Sequence, residues 1–266
     1  MCSTKFNLKF FSVISALLIT VSGTISATPL FDSGIPASWN CTGNCGTSGA
    51  NGVVSLAPGG GSQYGWVSTS QGVSGQGLSG IGGTTGSVLR SVLFSANASD
   101  NLQFQFNYVT SDGSGYADYA WARLLDAASN QIAILFTART KPSGTIVPGD
   151  GMPLPTATLT PPSVPIIPGA PVWSPLGSSS GTCYASGCGY TGWIQSDYAI
   201  AAAGNYYLEF GAVNWSDTIY QSGLAFDGVT VGGVIIGGGG SIPEPATLML
   251  MGLGLAGMGM ARRHKV

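Results

Sequence analysis

Apolar and polar residues alternate along several short segments of the chain, most clearly at residues 102–108. Alternation with a period of two predicts a β-strand that buries one face. Further strands are predicted at residues 53–56, 64–67, 88–94, 119–125, 132–137, 193–199, 206–213 and 224–231. Turns rich in Gly, Asn, Asp and Ser separate them, and no amphipathic helix is evident. The pattern predicts an all-β fold, an antiparallel β-sandwich of jelly-roll type.

A proline-rich segment, residues 142–175, interrupts the strand pattern with ten prolines. Proline has no backbone N–H to donate to a β-ladder, so the segment predicts an exposed loop with polyproline II character. Binding of a partner is the alternative role for such a loop. The pattern therefore delimits one domain, residues 28–236, followed by a glycine-rich flexible spacer at residues 237–241.

The first 27 residues have the layout of a secretory signal peptide. Lys5 and Lys9 supply positive charge, residues 10–21 are apolar, and small residues then lead to Ala27. A membrane helix that is not cleaved is the alternative interpretation. The short apolar stretch and the small residues after it favour cleavage near Ala27, and therefore export.

The C-terminal region combines a Pro-Glu-Pro tripeptide with an apolar run at residues 246–261 and a basic cluster. As a helix, the run would span roughly 24 Å, slightly less than the roughly 30 Å hydrocarbon core of a bilayer. Basic residues beside a membrane helix stay on its cytoplasmic side. Both ends of the chain therefore predict that residues 28–240 lie outside the cytoplasm.

The order of these three parts resembles the PEP-CTERM protein-sorting signal. The residues that carry the resemblance are Pro243, Glu244, Pro245, Arg262 and Arg263. The resemblance implies recognition by an exosortase, a membrane cysteine transpeptidase of Gram-negative bacteria that make exopolysaccharide. It also implies that the helix anchors the chain only until processing near Pro-Glu-Pro. Residues 106–124, 214–217 and 222–227 resemble a domain of unassigned function in other PEP-CTERM proteins.

Charged residues make up only 8% of the chain, and most basic residues lie at its ends. Residues 28–240 contain four basic and ten acidic residues, a net charge of −6. This composition excludes the basic surface that nucleic-acid binding requires. The single histidine, His264, lies in the basic tail, so the domain lacks the residues for Ser-His-Asp or Cys-His catalysis.

Four cysteines lie in the domain as two close pairs, Cys41 with Cys45 and Cys183 with Cys188. Outside the cytoplasm disulfides are the default state, and two local bridges are the simplest of three pairings. A four-cysteine zinc site is the alternative, although the spacings are loose for zinc and the compartment is oxidising.

Aspartates and aromatic residues suggest two kinds of binding site. Asp112 and Asp118 flank a turn and would supply oxygen ligands to Ca²⁺, the one cofactor that we consider; the alternative is that they only form the turn. Exposed aromatic rings would stack on sugars, and the candidates are Tyr116, Trp121 and Trp215. Packing within the fold is the alternative for these rings.

Glu209 is the only glutamate of the domain and lies on a predicted apolar strand, where we expect it to face solvent without a carboxylate partner. A glycoside hydrolase needs two carboxylates across the scissile bond. The sequence therefore favours a non-enzymatic surface or matrix protein that interacts with exopolysaccharide. The alternatives are a purely structural or adhesive protein and a carbohydrate-active enzyme that uses Asp and Glu.

Overall fold

The computed structural model of the chain describes residues 29–237. These residues form two large antiparallel β-sheets packed face to face and one separate two-stranded sheet, which confirms the predicted antiparallel β-sandwich. The signal peptide predicted at residues 1–27, the sorting motif and the helix predicted at 246–261 lie outside the described residues, as does most of the predicted spacer. Within residues 29–237 no helix is long and apolar enough to cross a membrane.

The described part of the chain contains one short 3₁₀-helix, Ser174–Ser179, and is otherwise built from strands and loops. The strands are β1 (Asn40–Thr42), β2 (Asn44–Ser48), β3 (Tyr64–Ser68), β4 (Val73–Ser74), β5 (Thr85–Arg90), β6 (Phe94–Ala96), β7 (Asn101–Thr110), β8 (Tyr119–Asp126), β9 (Gln131–Arg139), β10 (Thr145–Val147), β11 (Thr158–Thr160), β12 (Val164–Pro165), β13 (Ile167–Pro168), β14 (Gly189–Tyr190), β15 (Ile194–Ala199), β16 (Gly204–Val213), β17 (Ser222–Val231) and β18 (Val234–Ile235).

The strand order identifies the topology. The first sheet has the order β1-β5-β16-β8-β9, and the second sheet has the order β11-β15-β7-β17-β3-β2. Numbered along the chain, the eight principal strands are β3, β5, β7, β8, β9, β15, β16 and β17. Read from β3 to β15, the second sheet contains the first, eighth, third and sixth of these strands. Read from β5 to β9, the first sheet contains the second, seventh, fourth and fifth. This is the order of a jelly roll, as the sequence predicted.

The core lies between the two sheets and is rich in aromatic rings. The inward-facing side chains of β7 are Leu102, Phe104, Phe106 and Tyr108, all of them buried. This confirms the alternating strand predicted at residues 102–108. Phe106 stacks on Phe136 with ring centroids 3.8 Å apart, and Phe210 stacks on Phe226 at 4.0 Å. Each pair joins one sheet to the other. Stacking of the rings therefore stabilises the sandwich in addition to the burial of their apolar surface.

Two strand predictions differ from the structure. Residues 53–56 form no strand, and only an isolated bridge joins Asn51 to Val54. The strand predicted at residues 88–94 is split into β5 and β6 at Ser91. The Ser91 hydroxyl accepts a hydrogen bond from the Leu208 N–H at 2.9 Å and thereby replaces a backbone partner in the ladder. A polar side chain thus interrupts a segment that looks continuous in sequence.

The proline-rich segment at residues 142–175 is not the exposed loop that the sequence predicted. It contains β10 to β13, and β11 extends the second sheet by pairing with β15. Buried apolar side chains of the segment include Ile146, Val147, Met152, Leu159, Val164 and Trp173. Its strands are only two or three residues long, and β11 lies at a sheet edge, where proline is tolerated. Apolar residues between the prolines therefore anchor the segment to the domain.

Candidate functional site

A groove of about 690 Å³ lies on the outward face of the first sheet. Strands β1, β5, β16 and β8 contribute its floor, and the loops at residues 75–77 and 91–93 contribute its walls. The polar side chains that line it are Ser38, Asn40, Thr42, Gln76, Arg90, Ser91, Arg123, Tyr207 and Glu209.

Three charged residues form a row across the floor of this groove. Glu209 on β16 lies opposite Arg90 on β5 and opposite Arg123 on β8. Its Oε1 lies 2.6 Å from Nη2 of Arg90, and its Oε2 lies 2.6 Å from Nε of Arg123. Glu209 is only 3% exposed, so the expectation that it faces solvent was wrong. A buried carboxylate requires such pairing, and two cationic partners provide it.

Aromatic rings hold the two guanidinium groups in place. The guanidinium of Arg90 lies over the ring of Tyr207, 5.1 Å from its centroid, and that of Arg123 lies over Trp121 at 4.8 Å. The Trp121 ring in turn lies over Gly211, where an added Cβ would approach the ring to 2.4 Å. The Trp121 ring, which packs on Gly211, therefore fixes the orientation of Arg123 from below.

Trp121 does not supply the sugar-stacking surface predicted for it. Its side chain is 1% exposed and packs in a small apolar cluster on the outward face of the first sheet. The physical reason is that loops cover this part of the sheet, and Leu78 and Met152 from those loops belong to the same cluster. Trp121 positions Arg123 from within the fold.

The other two predicted glycan contacts lie in the loops at one end of the sandwich. Tyr116 packs edge-on against Tyr184 with centroids 5.2 Å apart, and Tyr184 lies 4.9 Å from Tyr220. Trp215 is exposed, and the guanidinium of Arg139 covers one face of its ring at 4.6 Å. These side chains form a separate aromatic cluster, the end-loop cluster.

Asp112 and Asp118 lie beneath this cluster, and both are completely buried. Asp118 accepts hydrogen bonds from the Trp215 N–H at 3.0 Å and from the Ser222 hydroxyl at 2.8 Å. Oδ1 of Asp112 accepts from the Gly113 N–H at 2.7 Å, whereas its Oδ2 has no donor partner within residues 29–237. The described residues contain no cluster of three or more potential His, Cys, Asp or Glu metal ligands. The calcium site at Asp112 and Asp118 stays a prediction.

The two carboxyl groups share one environment and influence each other. Burial, together with the charge of Asp217, raises the pKa of Asp112 to about 6. Burial raises the pKa of Asp118 well above its usual range, and the charges of Asp112 and Asp217 add to the effect. The arrangement therefore favours retention of one proton by the pair near neutral pH.

Both predicted disulfides are present. Cys41 is bonded to Cys45, and Cys183 is bonded to Cys188, so these four cysteines do not form a zinc site. The first bridge joins β1 of the first sheet to β2 of the second, and it flanks the groove residues on β1. The second closes the loop that carries Tyr184 in the end-loop cluster. Each bridge thus restrains a loop beside a candidate binding surface.

The groove was not predicted from the sequence, although a weak signal for it is present. Arg90, Arg123 and Glu209 each stand alone as a charged residue on an otherwise apolar predicted strand. Nothing in the local pattern shows that the three strands are neighbours in register, because β5, β8 and β16 are far apart along the chain. These three residues can be recognised as neighbours only once the jelly-roll strand order is known.

Comparison with known proteins assigns the C-terminal region. Residues 241–263 match the family described as "PEP-CTERM protein-sorting motif". The match does not extend to residues 28–240, so the domain resemblance in this part stays a prediction. A search of curated proteins gave no match.

Solved structures that resemble the domain are distant. The K1 and K3 cleaved adhesin domains of Lys-gingipain from Porphyromonas gingivalis W83 are each 14% identical to the chain, with a TM-score of 0.35. They cover 74% and 78% of this chain, and 92% and 97% of their own. The enzymatically active domain of bacteriophage CBA120 tailspike protein 4 is 11% identical, with a TM-score of 0.32 over 73% of this chain and 19% of its own. At these values the similarities carry no functional argument.

The cellular location of the protein is therefore inferred from the sorting motif. A PEP-CTERM motif implies export, processing by an exosortase and a location at the cell surface or beyond it. The chain carries a PEP-CTERM protein-sorting motif at residues 241–263, and this motif implies an exported surface or extracellular protein with an exosortase as its processing partner.

Proposed function

We propose that the jelly-roll domain is a non-catalytic module that binds exopolysaccharide at the cell surface or in the extracellular matrix, and that the groove on the first sheet is its binding site. The observation that carries this proposal is the groove itself, about 690 Å³ in volume and lined mainly by polar side chains that the fold holds in place. An exported location puts this groove in contact with extracellular polymers.

The groove chemistry suits a sugar chain. Polysaccharides present many hydroxyl groups and weakly apolar ring faces, so they need polar side chains free to bond and an aromatic surface. Ser38, Asn40 and Thr42 are exposed, and their side chains form no hydrogen bond with another residue of the described range. The half-exposed ring of Tyr207 lies beside them and supplies the apolar surface.

The arrangement of carboxyl groups supports a binding function over a hydrolytic one. Each carboxylate oxygen of Glu209 is paired with an arginine, so neither oxygen is free to act on a glycosidic bond. The adjacent carboxyls of Asp112 and Asp118 are completely buried, where no glycosidic bond reaches them. Two carboxylates flanking a bound sugar are what glycoside hydrolysis requires.

We further propose the following route to the cell surface. The signal peptide at residues 1–27 directs export across the inner membrane of a Gram-negative bacterium. The apolar helix at residues 246–261 holds the chain there until an exosortase acts near Pro243, Glu244 and Pro245. The processed domain then resides at the surface or in a biofilm matrix.

Affinity electrophoresis of the full chain tests the binding proposal. The gel contains exopolysaccharide purified from the bacterium that produces the protein, and migration is compared with that in a plain gel. We expect retardation of the wild type and loss of most retardation in Tyr207→Ala. Tyr184→Ala is the matched control, because it removes an exposed tyrosine from the end-loop cluster and leaves the groove intact.

The outcomes separate the alternatives. Equal migration of the wild type with and without exopolysaccharide would overturn the proposal and favour a purely structural protein. Retardation that Tyr184→Ala abolishes and Tyr207→Ala preserves would move the site to the end-loop cluster. Release of reducing ends from the polysaccharide during incubation would favour a carbohydrate-active enzyme.

A further inference from the structure

The groove has a charge opposite to that of the domain that surrounds it. Residues 28–240 contain four basic and ten acidic residues, yet two of the basic residues, Arg90 and Arg123, line the groove together with a single acid, Glu209. No other charged side chain lines it. The groove therefore carries a net charge of about +1 in a domain whose overall charge is negative.

Part of this positive charge is available to a ligand. Arg90 directs Nε and Nη2 to Glu209 and Nη1 to the Ser129 hydroxyl. Arg123 directs only Nε to Glu209, so its Nη groups form no hydrogen bond with another residue of the described range. The side chains of Arg90 and Arg123 are 32% and 26% exposed. Arg123 therefore presents the outer edge of its guanidinium to the groove.

The outer edge of a guanidinium fits a particular kind of partner. Its two parallel N–H groups match the two oxygens of a carboxylate, and such charge-assisted pairs are roughly twice as strong as neutral hydrogen bonds. Stacking on Trp121 and the bond to Glu209 already fix the orientation of Arg123. A ligand carboxylate would therefore bind without the cost of ordering a flexible side chain.

We propose that the ligand of the groove is an acidic polysaccharide, and that the carboxylate of a uronic-acid unit pairs with Arg123. This inference rests on the proposed function and specifies the class of polysaccharide. Arg90 strengthens the local field, Glu209 orients both arginines, and the free polar side chains of β1 bind neighbouring sugar hydroxyls. A neutral glucan would lack the group that Arg123 is oriented to receive.

Isothermal titration of the full chain, purified in mild detergent, tests this with two probes. One is an oligomannuronate, and the other is a neutral cello-oligosaccharide of the same length. We expect the oligomannuronate to bind more tightly, and its Kd to rise with NaCl concentration because screening weakens an exposed charge pair.

Three variants test the role of the charges. Arg123→Gln should raise the Kd for the oligomannuronate by about tenfold or more, because one charge-assisted pair is lost. Glu209→Gln should lower that Kd, because it removes the competing carboxylate. Arg139→Gln is the matched control, since it removes an arginine from the end-loop cluster and should change the Kd by less than about twofold. Circular dichroism melts verify that each variant is folded.

The two hypotheses fail in different ways. Equal binding of both oligosaccharides, unaffected by Arg123→Gln, would overturn the uronic-acid inference and leave polysaccharide binding in place. Weaker binding in both Arg123→Gln and Glu209→Gln would indicate a damaged groove and would also overturn it. Binding of neither oligosaccharide, together with no retardation by the exopolysaccharide, would overturn both proposals.

Discussion

At the scale of single residues, the pair Asp112 and Asp118 has the clearest physical consequence. Burial raises both pKa values, that of Asp112 to about 6, so the folded state holds a proton that the unfolded chain releases near pH 4. The pair also faces Asp217 and the buried Tyr108, whose pKa rises because of burial and the charge of Asp118. The stabilisation of the folded state by this bound proton is therefore complete below about pH 4 and is lost as the pH rises through about 6.

Replacing one carboxyl of the pair tests this linkage. Asp112→Asn removes one ionisable group while its side-chain oxygen can still accept from the Gly113 N–H. We expect the variant to exceed the wild type in stability at pH 7.5 by about 1–2 kcal/mol, a rise in Tm of a few degrees, and to lose this advantage near pH 4.5. Thermal melts across this pH range measure the effect, and the exposed Asp150→Asn is the control.

The same melts test the calcium hypothesis. A rise in the Tm of the wild type with millimolar Ca²⁺ at pH 7.5, absent in Asp112→Asn, would mean that the two carboxyls hold a cation there. That result would contradict the shared proton and support the calcium site predicted from the sequence. With a shared proton, Ca²⁺ and a chelator leave the Tm of the wild type unchanged.

At the scale of elements, the proline-rich segment at residues 142–175 behaves as part of the sandwich. Leu159 on β11 is buried against the core, whereas Leu154 in the same segment is 77% exposed. We expect Leu159→Ala to lower the free energy of unfolding by about 2–4 kcal/mol, because it opens a cavity. Leu154→Ala should change it by less than about 0.5 kcal/mol. Urea denaturation measures both, and equal small effects would restore the solvated-loop interpretation.

The elements also show how far sequence reasoning extends. Strand β7 was predicted from the alternation at residues 102–108, because one buried face leaves a local pattern of period two. Strands β8 and β16 were predicted as short, mainly apolar segments between turns, and both are buried on both faces along most of their length. The proline-rich segment was mispredicted because the burial of Leu159 depends on its pairing with β15, which no local pattern reveals. For the same reason, neither the row of Arg90, Glu209 and Arg123 nor the burial of Trp121 beneath loops could be predicted from the sequence. Local periodicity is visible in a sequence, and register between distant strands is not.

At the scale of the whole molecule, the sorting motif implies that an exosortase processes the chain. Replacing Pro243, Glu244 and Pro245 with alanine should prevent processing, so the variant should keep its C-terminal segment and remain in the membrane fraction. Intact-mass measurement of the fractionated protein detects this. The wild-type chain in a strain without exosortase should accumulate in the same form. Normal release of the triple variant would contradict the role given to this motif.

The central claim is that the groove on the first sheet binds exopolysaccharide, and hydrogen–deuterium exchange of the full chain with and without that polymer tests it most directly. The loops at residues 75–77 and 91–93 form the groove walls and lie outside the β-ladders, so their amides report on binding. We predict that saturating polysaccharide slows exchange in these two loops and leaves residues 113–117 and 214–220 unchanged. Slowed exchange confined to residues 113–117 and 214–220, or no change in any segment, would contradict the account.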